Sequence, residues 1–569
     1  MTHCSLFFQP HKDERPVPKG RPLLSSLLSL LILIGLCLPL AACNEGSGSS
    51  SNSCKSVYDA EFGPESAKRT LSLVSGSENS VLEPLLERFA QKESVRICVD
   101  YLGSLDIMRL LQSDVIPYDA VWPASSLWIT LGDEDHRIKD MESISITPVI
   151  FAIRDSLAEE LGFKERDVFV RDILEAIQDG KLRFTMTSAT QSNSGASAYM
   201  AFLYALLENP SAIEEQDLDD ETLQKEITEL LSGVERSSGS SNWLVDLYVS
   251  GNYDAMVNYE ALVISANQRL SQAGKESLYA IYPKDGLSLA DSPLGFVADN
   301  GVEGRQQDTQ EELFLKLKNF LLSEDSQDFI RSTGRRTDML NAPEGYESVF
   351  RSDWGIDPER TLSVMRMPKA EVIRKALDLY QSEFKKPAYN IYLLDFSGSM
   401  YGEGNEQLIQ ALESIMIEKN ARQNLLQASS KEVNVFYRFS DQVGLIGRAT
   451  GSSQELEDLY SEIKNNHPNG GTALYSAVQV ALEEIAQIDL SLYSPAIILM
   501  TDGQPSAGIR FKELETYYEK TNIDVPVFSI LFGDAVEADM DKLAEMSRAR
   551  VFDGRLDLIE AFQKVRGYN

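Results

Sequence analysis

The segment Asp395-Phe396-Ser397-Gly398-Ser399 follows directly on the apolar run Tyr389–Leu394. It is answered far downstream by Gly470-Gly471-Thr472, and by Thr501-Asp502-Gly503 after a second apolar run, Ala496–Met500. Hydroxyls and carboxylates are hard oxygen donors. Three loops at strand ends can gather them around one small cation in the near-octahedral, water-retaining shell that Mg²⁺ prefers. Alone, the first segment reads equally well as a turn in which Asp and Ser bond nearby backbone amides. Three segments in this order favour the cation site.

The flanking pattern places these loops. Val433, Val435, Tyr437 and Phe439 alternate as a strand with one buried face, whereas Ala496–Met500 and Val525–Phe532 are the continuous runs of strands covered on both faces. Ser452-Ser453-Gln454-Glu455 has the form of a capping box, and Ala473–Gln487 carries apolar residues at helical spacing. Alternating strands and helices predict an α/β, doubly wound parallel sheet whose ligand crevice lies at the carboxyl ends of its strands. On these motifs, residues 388–569 resemble a von Willebrand factor A domain. The resemblance implies a metal-ion-dependent adhesion site, with Ser397, Ser399 and Thr472 as direct ligands and Asp395 and Asp502 holding ligand waters or the ion. The ion would be Mg²⁺ or another divalent cation such as Mn²⁺ or Ca²⁺, its open position taking an acidic side chain of a protein partner. The two glycines before Thr472 read as backbone freedom for a loop that moves on partner binding.

At the other end, Lys12, Arg15, Lys19 and Arg21 precede an apolar stretch, Leu23–Leu40, in the charged-then-apolar order of a secretory leader. The alternative is an uncleaved anchor, which 18 residues interrupted by Ser25, Ser26, Ser29 and Pro39 would span only marginally. Leu40-Ala41-Ala42-Cys43 resembles a bacterial lipobox, implying a signal peptide over 1–42, cleavage before Cys43 and lipidation of that cysteine. Asn44 would send such a lipoprotein to the outer membrane of a diderm. Residues 43–68, Gly/Ser-rich from Gly46 to Ser53, read as a flexible tether. Both readings leave the folded part outside the cytoplasm, where Cys54 and Cys98 could pair.

Length calls for a second body over residues 69–340. Leu71–Val74 and Val95–Tyr101 read as strands. Ser75-Gly76-Ser77-Glu78 is a polar loop before a helical pattern from Val81 to Gln91, and Tyr118–Trp122 runs into Pro123-Ala124-Ser125-Ser126. Thr187–Gly195 opens a helix, and Ala255–Glu260 reads as a returning strand. In this order the segments resemble a two-lobed periplasmic, extracellular solute-binding protein. The resemblance implies a small solute held between lobes at strand-to-helix loops, where helix dipoles favour an anion. Ser75, Ser77, Ser125, Ser126, Ser194 and Tyr259 are the candidate ligand-binding residues. Their structural readings stand beside this, Ser194 as a helix cap and Tyr259 as core. Residues 341–387 form a linker whose one helix sets Val372, Ile373, Ala376, Leu377, Tyr380 and Phe384 on one side, a stripe suited to packing on a domain.

Charge narrows the partners. Removing residues 1–42 takes four basic and two acidic side chains from 53 and 87, leaving 49 against 85 and a formal charge of −36. Nucleic acid is therefore not an expected partner, since phosphate binding needs a basic footprint. His136 and His467 are the only histidines left, neither lies in a motif, and no base and nucleophile flank the metal motif. The chain reads as a lipid-anchored extracytoplasmic binding protein rather than an enzyme. It would dock a protein partner through the metal site or, alternatively, serve as the solute-binding component of a transport system, with the A domain recruiting partners.

Overall fold

The central strands of the first body are short and largely buried, as sheets covered by helices require, whereas the edge strand Ile138–Ser143 is exposed. The computed structural model describes residues 58–567, apart from 303–304, 306, 339–344, 361, 363, 424–425, 427, 452, 534–536 and 556–557. The expected leader, Cys43, most of the tether, Cys54 and Ser452 lie outside these residues. All the described residues fall within one compact unit, Asn52–Asn569.

Two six-stranded sheets build the first body. In the first, Thr70–Gly76 lies between Arg96–Leu102 and Ala120–Trp122, all parallel. Pro293–Val297 and Ile138–Ser143 continue it antiparallel, and Ala60–Phe62 closes the other edge. In the second, Thr147–Arg154 pairs with Ala255–Tyr259, which is followed by Phe184–Thr187 and Val234–Ser238. Leu278–Ile281 and Ser288–Ala290 pair along its other side. The chain passes between lobes at neighbouring points: Ile144 N–H donates to Ser292 O at 3.1 Å, and Ile146 and Arg336 exchange backbone bonds of 2.7 and 2.9 Å. Leu105, Trp128 and Leu131, from helices of the first lobe, and Ala124, from the loop before the second of them, join the buried core of the second lobe. The lobes are thereby sealed against each other.

The segment read as a linker is built into the second lobe. Phe350, Trp354, Ile356, Val372, Ile373, Ala376, Tyr380 and Phe384 are buried in that lobe's core, and Tyr199 donates its hydroxyl to Ala376 O at 2.9 Å. The helical stripe of Ala370–Leu379 is the face that packs.

The C-terminal sheet runs Val443–Thr450, Val433–Phe439, Ala388–Asp395, Ser494–Thr501, Val527–Leu531 and Val551–Asp553, parallel except for the first, antiparallel edge strand. Ala388–Asp395 is buried along its whole length. Val433–Phe439 departs from the one-faced strand read from its alternation. Val435, Tyr437 and Phe439 enter one core and Phe436 the opposite one, because helices cover both faces of the sheet.

The sheet meets the second lobe at the amino ends of its strands. Asp524, just before Val527, accepts hydrogen bonds from Arg236 Nη1, Tyr253 OH and, at 2.8 Å, Arg548 Nη2. Arg236 Nη2 also donates to Arg548 O at 3.0 Å. Burial alone would raise the Asp524 carboxyl; the two guanidinium groups hold it below its ordinary value.

Candidate metal centre and interlobe cleft

At the carboxyl ends of the same strands, away from that junction, the three motif loops meet. Parallel register sets Asp395 opposite Phe439, and Leu394 opposite Met500, so strand ends of distant sequence finish level. Asp395 is fully buried. Its Oδ1 accepts from Ser397 N–H at 2.7 Å and its Oδ2 from the Thr501 hydroxyl. Burial, and secondarily the Asp502 carboxylate, push the Asp395 carboxyl up to about 6 against those bonds. Ser397 Oγ lies 3.0 Å from Ser399 Oγ, which is 2.9 Å from Asp502 Oδ1. Thr472 is 4% exposed.

Glycines mark the space these groups surround. A Cβ added to Gly503 would stand 3.1 Å from Ser399 Oγ and 3.2 Å from Thr472 Oγ1, and one on Gly404 would stand 3.1 Å from Asp502 Oδ2. A side chain at either glycine would crowd the converging oxygens. Among the described residues no group of three or more His, Cys, Asp or Glu side chains is arranged to hold a metal, so a mixed hydroxyl and carboxylate set is the one to consider. Its donors are all oxygen, the chemistry that suits a hard divalent cation rather than a thiophilic one. Three of its five side chains, Ser397, Ser399 and Thr472, are neutral hydroxyls, so the negative charge of the set comes from Asp395 and Asp502 alone. The Thr501 hydroxyl was not singled out in the sequence. Its signal was a polar residue ending a buried strand.

The six candidate cleft residues are all engaged with protein. Ser75 accepts from Asn79 Nδ2 at 3.2 Å, and Ser77 Oγ is 3.1 Å from Ser240 Oγ of the other lobe. Ser125 caps its helix by accepting from Leu127 N–H at 3.3 Å, and Ser126 N–H donates to Asp291 Oδ1 at 2.8 Å. Ser194 Oγ lies 2.8 Å from the hydroxyls of both Thr187 and Ser241. Tyr259 OH accepts from Asn193 Nδ2 at 2.9 Å, and burial pushes its hydroxyl well above the ordinary range. Trp128 Nε1 donates across the lobes to Asn193 Oδ1 at 2.7 Å. A cavity of 260 Å³ remains at the hinge side, lined by Ser80, Glu83, Asn242, Ala261, Thr333 and Arg335 among others. None of the six serine and tyrosine candidates lines it. Arg335 is 4% exposed and donates through Nη2 to the backbone carbonyl of Glu78.

Two family models match the chain. Residues 71–336 match the family model described as bacterial extracellular solute-binding protein, and residues 391–564 that of the von Willebrand factor type A domain. No curated protein matches the chain. Among solved structures, a ferric binding protein from Campylobacter jejuni is 15% identical, covering 55% of this chain and 98% of its own, with a TM-score of 0.39. A periplasmic thiamin binding protein is 11% identical over 55% and 98% of the two chains, at 0.41. The periplasmic binding protein AfuA from Actinobacillus pleuropneumoniae, with exogenous fructose-6-phosphate bound, is 13% identical over 55% and 98%, at 0.38. The chain thus joins a bacterial extracellular solute-binding protein region to a C-terminal von Willebrand factor type A domain.

Proposed function

We propose that this chain is an extracytoplasmic, lipid-anchored binding protein that docks an acidic group of a protein partner through a divalent cation in its A domain. The observation that carries the reading is the convergence of Asp395, Ser397, Ser399, Thr472 and Asp502 around the space that Gly503 leaves open. A bound Mg²⁺, or Mn²⁺ or Ca²⁺ in its place, would offer an open coordination position to a carboxylate. The chain's own residues do the rest: Asp395, anchored by Thr501 and by Ser397 N–H, orients the shell, and the hydroxyls complete it without neutralising it. Asp395→Ala should lower Mg²⁺ affinity at least about tenfold, and unfolding midpoints of the metal-free proteins separate that binding loss from the loss of the buried bonds to Ser397 and Thr501. Calorimetric titration giving parental affinity in the variant would refute the assignment.

The alternative is a solute-binding component of a transport system, and the hinge-side cavity beside Arg335 is what favours it. Both readings share the anchor. Among the described residues no helix is long and apolar enough to cross a membrane, and the lipobox-like Leu40–Cys43 supplies the attachment in this proposal. Cys43→Ser should abolish labelling by a fed fatty acid and move the protein into the soluble fraction; a variant still labelled would sink the lipid anchor.

A further inference from the structure

The loop that carries Thr472 is held from three sides. Gly398 N–H donates to Gly470 O at 2.9 Å, and Asn469 N–H donates to Phe396 O at 2.8 Å. Thr472 N–H donates to Ser506 Oγ at 2.9 Å, and Thr472 O accepts from Ser506 N–H at 3.0 Å. The third side is Asp441, in the turn between Val433–Phe439 and Val443–Thr450, whose Oδ1 accepts from Gly471 N–H at 2.9 Å.

The glycines show how close that contact is. A Cβ on Gly470 would fall 2.3 Å from Asp441 Oδ2, and one on Gly471 would fall 2.8 Å from Asp441 Oδ1. Gly470 also has φ +79°, a conformation that side chains rarely tolerate. The Gly470–Gly471 pair therefore lets the backbone lie against a carboxylate, which is a different use from the free movement read in the sequence. Asp441 belongs to none of the three motif segments.

We propose that Asp441 is a positioning residue for the metal centre: by docking the Gly470–Gly471 peptide it sets the Thr472 hydroxyl where a cation would take it. Any movement of Thr472 would have to break this bond, so Asp441 also sets how readily the loop moves. The inference rests on the metal-binding reading above.

The test is a Mg²⁺ titration of the full chain in detergent, comparing the parent with Asp441→Ala, Asp441→Asn, Thr472→Ala and the double variant Asp441→Ala/Thr472→Ala. Loss of an outer positioning partner typically lowers metal affinity 10–100-fold. Asp441 lies at an exposed turn, so about tenfold is expected for Asp441→Ala. Asp441→Asn keeps an oxygen acceptor for Gly471 N–H and should retain most of the affinity, and the double variant should bind no worse than Thr472→Ala alone. Parental affinity in Asp441→Ala would overturn the inference. So would equal losses for the Asn and Ala variants, which would mean a through-space charge effect, or additive losses in the double variant, which would mean independence from Thr472. All three leave the metal reading standing. A parent that binds no Mg²⁺ overturns both, and unfolding midpoints taken without metal separate a binding loss from misfolding.

Discussion

Glu260→Ala should cost about 3–5 kcal/mol of unfolding free energy, the penalty for leaving one member of a buried ion pair without its partner. Glu260 is fully buried and Arg336 is 5% exposed; Arg336 Nε donates to Glu260 Oε1 at 2.8 Å and Nη2 to Oε2 at 2.6 Å. Tyr282 donates its hydroxyl to the same carboxylate. Burial opposes the charge on Arg336, yet the bonds from Glu260 hold the guanidinium above its ordinary value. The pair also sits at a crossroads. Arg336 bridges to Ile146 at the lobe crossing and donates to Asp357 O and Pro358 O, in the segment that leads on to the A domain. Removing the carboxylate strands a buried cation, whereas Glu260→Met with Arg336→Met removes both charges and should recover much of the loss. Urea unfolding monitored in the first body would decide it. A loss below about 1 kcal/mol in the single variant would mean that solvent reaches Arg336 and the pair carries little.

How much of this was legible in the sequence depends on whether the determinant is local. Asp395, Ser397 and Ser399 lie within five residues, and apolar runs announced the strands that end at Asp395 and Thr501, so the metal-site loops could be placed from pattern alone. Asp441 could not be placed, because its contact with Gly471 arises from strand order across 30 residues of sequence. In the first body, Ser125 and Ser194 stand at helix starts as read, whereas Ser75, read as loop, lies inside the strand Thr70–Gly76; such residues serve turns, strands and caps as readily as ligands. Of the residues that meet across the lobes, Asn193 lies in the Thr187–Gly195 segment without having been singled out, and Trp128, Asn242 and Arg335 carry no local motif. The stripe from Val372 to Phe384 showed that its helix must pack; only the fold shows that it packs on the second lobe. Cys98 is disulfide-bonded, and its partner lies outside the described residues, so the other half of the expected pairing with Cys54 belongs to a peptide map.

The A domain is joined to the second lobe through Asp524, at the amino ends of its strands, while the motif loops lie at the carboxyl ends. The two ends of the sheet's parallel strands are therefore divided between an internal junction and the candidate binding site. A partner docking at Asp395 and Thr472 would not compete with the contact that fixes the domain to its neighbour, and the shared strands make the junction a firm base for the site.

Glu78→Gln should stabilise the protein at pH 8 relative to the parent by about 3 kcal/mol more than it does at pH 4.5. Glu78 lies in the 3₁₀ helix Ser77–Leu82, where the sequence read a polar loop, and is 9% exposed; its Oε1 has no hydrogen-bond partner among the described residues. Burial pushes its carboxyl up to about 7, with its own backbone N–H and the Arg335 charge pulling only partly the other way. Arg335 feels the same burial, which brings its guanidinium down to about 10. The sign follows from proton uptake. With a folded-state value above that of the unfolded chain, the native form keeps a proton that the unfolded form has lost. The contribution to stability is therefore fully present below the ordinary glutamate value of 4.5 and declines as pH rises through about 7. A shift of this size corresponds to about 3 kcal/mol at 1.36 kcal/mol per unit. Gln is a neutral isostere that never pays the desolvation penalty, while any misfit of its amide is the same at both pH values. The difference between the two variants, followed from one pH to the other by urea unfolding, isolates the ionisation, because the buried Asp395 titrates identically in both proteins. An effect of Glu78→Gln that stays constant from pH 4.5 to pH 8 would mean that Glu78 is charged throughout, with water or an ion satisfying Oε1 in the closed cleft.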